Sequence, residues 1–311
     1  MRRAIAALFA LLLAPLAARA QAPTVIVVNF GPGAANDIAA RLVAQEFQAE
    51  FGSPFVVKNT AGAAGTLGAQ EVVRARPDGL TLLLSPIGPI AVQPSYMRNA
   101  GYRTSDLAPV CMLTDAALVI QTPKTSGLRT IDDLIARAKS QGGNMPYGSS
   151  GPGTITHLAM VAWTRAAGVP MTHVPFRGPS EVILAFQQGT LAVLADQPAM
   201  VRAHDLQVLA AFSPERLPEF PDVPTLGETG HDLAFSIWQG LFAPAATPEP
   251  ILARYEAACA RAARSEALRQ GLERIQVPLV HRGRADFAAI VVRDAERMRT
   301  MIEEGGLRAA E

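Results

Sequence analysis

Residues Asn29–Arg41 read NFGPGAANDIAAR and residues Tyr147–Leu158 read YGSSGPGTITHL. Each sets glycines between an apolar run and a stretch of helical periodicity. The first N–H groups of a helix have no intrahelical acceptor and sit at the positive end of the aligned peptide dipoles, so such a junction suits an anion. Spacing excludes two phosphate classes. The dinucleotide fingerprint needs a third glycine where Asn36 stands, and a P-loop needs a Gly-Lys-Ser/Thr ending that is absent. A purely structural reading is also open: Gly31 and Gly33 allow a tight turn while Asn36 or Asp37 caps the helix, and Thr154 or Thr156 does the same for the second loop. Two such loops in separate halves of the chain favour an anion site, with the two helix starts facing each other across a cleft and holding a small dianion.

Catalytic signatures are weak by comparison. The stretch GSSGP fails the G-x-S-x-G nucleophile elbow because Pro152 replaces the last glycine. The histidines, His157, His173, His204, His231 and His281, are scattered, with no H-E-x-x-H and no cysteine cluster suited to zinc. An exported hydrolase is therefore the rival reading rather than the leading one. No metal and no cofactor is expected.

The elements that must carry the loops alternate. TVIVVNF is β-branched and reads as a buried strand, and Ile38, Leu42, Val43, Phe47 and Phe51 fall on one face of the helix after it. PFVVKN, LTLLLSP, ALVIQTP, MPYGSS, THVPF, LAVLAD and LQVLAAF read as further strands. GTLGAQEVVRA, TIDDLIARAKSQ, ITHLAMVAWTRAAG and SEVILAFQQG read as helices between them. Alternation of this kind implies parallel-rich sheets covered by helices, here in two successive cycles. The stretch FSIWQGLFAPAATP then leads into two helical segments, 248–272 and 285–306, placed to return to the first lobe.

The first twenty residues have Arg2 and Arg3, an Ala/Leu-rich centre and Ala18-Arg19-Ala20 before Gln21, the pattern of a cleaved secretory leader. No cysteine follows at the cleavage point for a lipid anchor. Removing the leader takes away three arginines and no acids, so the formal charge falls from +1 to −2. A nearly neutral chain with no basic stripe argues against nucleic acid as a partner. About 290 mature residues suffice for two lobes with their own cores. Cys111 lies in a strand-like run and Cys259 in an Ala-rich helix. They read as two separate buried thiols, although export permits one disulfide.

The ordered set GPGAANDIAARLVAQ, VVKNTAGAAGTLGAQEV, RPDGLTLLLS, SSGPGTITHLA, THVPFRG, FPDVPTLGETG and WQGLFAPAATP resembles the Bug-type, TctC-like family of periplasmic solute receptors of tripartite tricarboxylate transporters, from about Thr24 to the C-terminus. The resemblance implies a two-lobe α/β periplasmic-binding-protein fold of the type II, Venus flytrap kind, with a hinge of crossing strands. It implies a leader over 1–20, a first domain of 21–117 plus 237–311 and a second of 118–236. It implies a small carboxylate ligand, delivered to membrane permease subunits by a monomer, or sensed by the same fold. The ligand set it carries over is Phe30, Gly31, Pro32, Gly33, Ala34, Asn36, Asp37 and Ser85 in the first domain. In the second it is Ser150, Gly153, Thr154, His157, Phe176, Arg177 and Asp196. Three of these have plainer readings: Arg177 as a surface ion pair, Asp196 as a loop brace whose charge would oppose an anion, and His157 as a packed histidine. Trp238 reads as core or hinge packing.

Overall fold

The computed structural model describes residues 22–176 and 179–309. The expected leader, Arg177 and Gly178 therefore lie outside the described residues. In chain order the elements are β1 (Thr24–Val28), α1 (Ala35–Phe51), β2 (Phe55–Asn59), α2 (Thr66–Val73), β3 (Thr81–Pro86), α3 (Gln93–Tyr96), β4 (Leu107–Ala117), β5 (Val119–Pro123) and α4 (Ile131–Ser140). They continue with β6 (Pro146–Ser149), α5 (Ile155–Ala166), β7 (Thr172–Pro175), α6 (Pro179–Gln187), β8 (Val193–Asp196), α7 (Ala199–Ala203) and β9 (Leu206–Ala211). The last are β10 (Ser236–Pro244), α8 (Glu249–Ala262), α9 (Glu266–Arg274), β11 (Leu279–Arg282) and α10 (Arg284–Gly305).

The strands form a six-stranded sheet, β11-β4-β10-β3-β1-β2, and a five-stranded sheet, β7-β6-β8-β5-β9. Both are mixed. β1 runs parallel to β2 and β3, and β6 runs parallel to β7 and β8. β10 is antiparallel to β3 and β4, β11 is antiparallel to β4, and β5 is antiparallel to β8 and β9. The antiparallel part follows from how the chain passes between sheets. Leu118 alone separates β4 from β5, so one extended run serves both sheets and the returning β10 must lie alongside β4 in the opposite sense. At this crossing Leu118 N–H donates to the Phe235 carbonyl (2.8 Å), Phe212 N–H to that of Leu118 (2.8 Å), and Phe235 N–H to that of Phe212 (2.9 Å).

Local pattern and burial agree where the local pattern is strong. Ile26, Val27 and Val28 are fully buried, as a strand covered by helices on both faces requires. α1 buries Val43, Ala44 and Phe47, and Phe47 packs its ring against Phe51, Phe55 and Tyr255. The helical segment expected over 248–272 is two helices. Ser265 interrupts it by accepting the Leu268 N–H and so starts α9, because a serine hydroxyl offers the backbone a cap in place of helix continuation. Trp238 is core, with its indole N–H donating to Asp294 Oδ2 at 2.9 Å.

The cysteines are not separate. Cys111 on β4 and Cys259 on α8 form a disulfide with their Cα atoms 6.5 Å apart. Both are fully buried and belong to one apolar cluster with Val43, Phe47 and Leu241. Packing α8 across the six-stranded sheet brings the two thiols together, a contact between residues 148 positions apart that neither local stretch announces.

Candidate functional site

The first glycine loop is held by a carboxylate. α1 starts after Ala34, which is extended and supplies no side-chain cap, so neither Asn36 nor Asp37 occupies the cap position. Asp37 instead turns back from the first helical turn. Its Oδ2 accepts the Gly33 N–H at 2.9 Å and Arg41 Nε at 3.1 Å, and its Oδ1 accepts the Asn59 amide at 2.9 Å. The same Asn59 amide donates to the Phe30 carbonyl, also at 2.9 Å. Gly33 closes the turn at φ +84°, where a side chain is strained. Burial pushes the Asp37 carboxyl up, but Arg41, the Gly33 N–H and Asn59 outweigh it and hold it below its ordinary value of 3.8.

A group whose folded pKa is depressed stabilises the fold above its unfolded pKa and loses that contribution as pH falls through the folded value. Asp37→Ala should therefore lower stability at pH 7 by about 1–3 kcal/mol, the order of the hydrogen bonds that the buried carboxylate accepts from Gly33, Arg41 and Asn59. The difference from the parent should close once the pH drops well below the ordinary carboxylate range. Urea midpoints at pH 7 and pH 2 check this; a constant difference would show that the brace does not depend on the Asp37 charge.

The second loop is braced by hydroxyls and a neutral histidine. Thr154 caps α5: its Oγ1 accepts from the His157 N–H at 3.4 Å and donates to the Gly151 carbonyl at 2.7 Å. Thr156 Oγ1 accepts the Ser150 N–H at 3.1 Å, and His157 Nδ1 accepts the Gly153 N–H at 3.2 Å. His157 stacks on His173 with ring centroids 4.0 Å apart. Burial, with His173 alongside, pushes His157 down to about 4, so it offers no charge at neutral pH. Ser149 Oγ lies 2.6 Å from His173 Nε2. That pair has the look of a nucleophile and base, yet Ser149 is fully buried and its hydroxyl also bonds both the N–H and the carbonyl of Gly151.

Both loops open on one cleft of about 600 Å³. Of the residues singled out in the sequence, Phe30, Gly31, Pro32, Ala34, Asn36, Ser150 and Thr154 line it. Thr156, named there as a cap, lines it too, and the other described members of the candidate ligand set do not reach the wall. Gly33 and Asp37 hold the first loop from behind. Ser85 is fully buried and donates to the Pro86 carbonyl. Gly153 lies against Tyr96, and His157 lies behind the second loop. Phe176 N–H donates to the Ser149 carbonyl at 2.9 Å, and its ring packs toward the cluster of Val182 and Phe186. Asp196 Oδ1 accepts the Gln197 N–H at 2.8 Å, and burial pushes its carboxyl up to about 6. The sequence reading did not single out Pro86–Pro89, Gln93, Gln197, Ile237 or Gln239, all of which line the cleft. The only trace of Gln239 in the sequence is one amide inside the apolar run SIWQGLF.

The chemistry of the wall is that of uncharged donors. Among its described residues none is Lys, Arg, His, Asp or Glu. Asn36 is 5% exposed and its Nδ2 has no hydrogen-bond partner among the described residues. Nor has Gln197 Nε2 or Gln239 Oε1. A second cavity of about 610 Å³ lies among Asp115, Leu217, Glu219 and Leu279, and Arg269 at its edge is tied to Glu266 and Glu273. It offers an anion no free donor cluster of this kind.

The family model of the tripartite tricarboxylate transporter family receptor matches residues 39–307. The chain belongs to that family. The receptor is similar to protein BugT of Bordetella pertussis, with 33% identity over 237 residues, 74% of this chain and 73% of that one. Its structure is similar to that of MatC from Rhodopseudomonas palustris with bound malate, at TM-score 0.78 and 28% identity over 90% of this chain and 99% of that one. A TctC solute-binding protein from Polaromonas gives TM-score 0.78 and 26% identity over 91% and 98%. The receptor thus has the two-lobe α/β fold of periplasmic binding proteins, as the resemblance in its sequence implied.

Proposed function

We propose that this receptor binds a small carboxylate in the cleft between its two sheets and delivers it, in the periplasm, to the membrane permease subunits of a tripartite transporter. The observation that carries the reading is the Asn36 amide, buried in the cleft wall with a free donor beside a helix start that has no side-chain cap. The first N–H groups of α1 and α5 point the same chemistry into the same space. Lobe boundaries at 117/118 and 236/237 and cleavage of the leader after Ala20 belong to this proposal.

Magnitudes permit an uncharged cradle. A micromolar affinity requires about −8 kcal/mol, and each hydrogen bond to a charged group contributes roughly 1.5–3 kcal/mol. Four or five such bonds suffice when the donors are held in place beforehand, since ordering losses subtract several kcal/mol. Helix starts braced by Asp37 and by Thr154 meet that condition. The malate bound to MatC makes malate the first probe.

Isothermal titration of the mature protein with malate, other di- and tricarboxylates and short monocarboxylates tests the reading. At least one should bind, raise the melting temperature and be recovered unchanged. Asn36→Leu, similar in size but without the donor, should weaken that binding about tenfold or more while the melting temperature of the free protein holds. Full affinity in Asn36→Leu would take the cleft out of the function, and turnover of the ligand would favour the hydrolase reading.

A further inference from the structure

Gly153 is the point at which the second glycine loop meets α3, beyond β3 of the six-stranded sheet. Its carbonyl accepts Gln93 Nε2 at 3.1 Å, and its Cα lies against the Tyr96 ring. Its own N–H donates back to His157 Nδ1 at 3.2 Å, one turn into α5. Nδ1 must therefore carry a lone pair, which puts the proton of the neutral ring on Nε2. A doubly protonated ring would set N–H against N–H. Turning the ring over gives no relief, because a C–H then faces the Gly153 N–H. Gly153 and His157 are both buried, so loss of this acceptor leaves a buried donor unpaired.

His173 answers a proton differently. Its Nε2 lies 2.6 Å from Ser149 Oγ, and that hydroxyl reaches both the N–H and the carbonyl of Gly151. With Nε2 bare, Ser149 donates to His173; with Nε2 protonated, Ser149 accepts from it and donates to the Gly151 carbonyl. The hydroxyl is bonded either way. His157 has no such second arrangement. The two rings stack 4.0 Å apart, so charge on His173 opposes charge on His157 and adds to the effect of burial, and no carboxylate among the described residues offsets the two. Tyr147, stacked on His173 from β6, stays neutral because burial pushes its phenol up to about 12. Burial raises Tyr96 as well. Asp196 ends β8, two strands from β7.

We propose that His157 is a positioning residue whose protonation releases the Gly153 N–H, unseats the start of α5 from the cleft and so weakens ligand binding in acid. The binding part of this rests on the reading of the cleft as a carboxylate site. The ring takes its proton as pH falls through about 4, and affinity falls with the fraction that remains neutral.

Two measurements test it. Malate and the tightest carboxylate of the wider screen are titrated calorimetrically from pH 7 to pH 3 into the native protein, His157→Leu and His157→Asn, with near-ultraviolet spectra to confirm that each sample is folded. At pH 7 His157→Leu should bind about tenfold more weakly than the native protein, and His157→Asn, whose amide oxygen stands where Nδ1 stood, should regain most of that loss. Below pH 5 the native protein should fall away from His157→Asn, by about tenfold at pH 3, a ratio in which the titration of the ligand and of Asp196 cancels. In the ligand-free native protein, NMR should show the exchange protection of the Gly153 amide lost with the same midpoint as the His157 ring titrates, and kept in His157→Asn. Full affinity in His157→Leu, parallel pH profiles for the native protein and His157→Asn, or Gly153 protection that survives protonation of the ring overturns the proposal while carboxylate binding stands. If no carboxylate binds, the carboxylate reading fails, and the exchange measurement decides whether His157 holds the loop.

Discussion

Gly153→Ala should cost about 2–3 kcal/mol of ligand affinity, roughly thirtyfold to a hundredfold, and lower the melting temperature of the free protein by only a few degrees. Gly153 lies in the second glycine loop at φ +68°, and a Cβ built there would stand 2.4 Å from ring atoms of Tyr96. Tyr96 ends α3, in the part of the chain that follows the six-stranded sheet's β3, whereas Gly153 opens α5 beside the five-stranded sheet. Gln93 Nε2 crosses the same gap to the Gly153 carbonyl at 3.1 Å. The added methyl therefore opposes the approach of the two lobes rather than the packing of either. Holding them apart separates the two helix starts, and a ligand that needs both pays the difference on binding. Left-handed strain acts in the free protein too, at about 1–2 kcal/mol, which is why a small loss of melting temperature is expected. Titration of Gly153→Ala, Tyr96→Ala and the double variant checks the contact, because removing the ring should restore most of the affinity lost to the methyl. A double variant as weak as Gly153→Ala would put the effect in the loop alone.

Replacing both cysteines, as Cys111→Ala with Cys259→Ala, should destabilise the receptor by about 2–4 kcal/mol, seen as a fall in melting temperature of about 5–10 °C. The bridge ties β4 to α8 across 148 residues of chain, so its loss frees a long loop of the unfolded ensemble. Alanine rather than serine is the right replacement, since both positions are fully buried in an apolar cluster and a hydroxyl there would lack a partner. Neither cysteine lines the cleft, so ligand affinity should hold. Calorimetry of the double variant beside the parent, with titration of the same samples, makes the measurement. A fall of only a degree or two would restore the picture of two independent thiols.

The local signals in this chain were strong where the physics is local. A β-branched run before Gly31 and Gly33 and a helical period after them define strand, turn and helix from neighbouring residues alone. The same holds for Tyr147–Leu158, where Thr154 caps α5 as its hydroxyl and position suggest. Seven of the fifteen candidate ligand residues come together for this reason: backbone N–H groups at a helix start lie where the start lies. Local reading failed where one residue type can serve two partners. Asp37 in the first turn of a helix looks like a cap or a ligand, and only the approach of Asn59 from β2 and the turn at Gly33 make it the brace of the loop.

What the sequence alone determined is therefore most of the strands and helices and the two helix starts behind glycine loops, because propensity, periodicity and glycine conformation act over a few residues. The tertiary structure decided which distant residues meet. It set the antiparallel return of β10 beside β4, the bridge of Cys111 to Cys259, the contact of Gly153 with Tyr96, and the placing of Gln239 in the cleft wall. Each joins positions far apart in the chain. Their meeting is fixed by how two sheets and their covering helices bury apolar surface together, a balance over the whole molecule that no short stretch encodes.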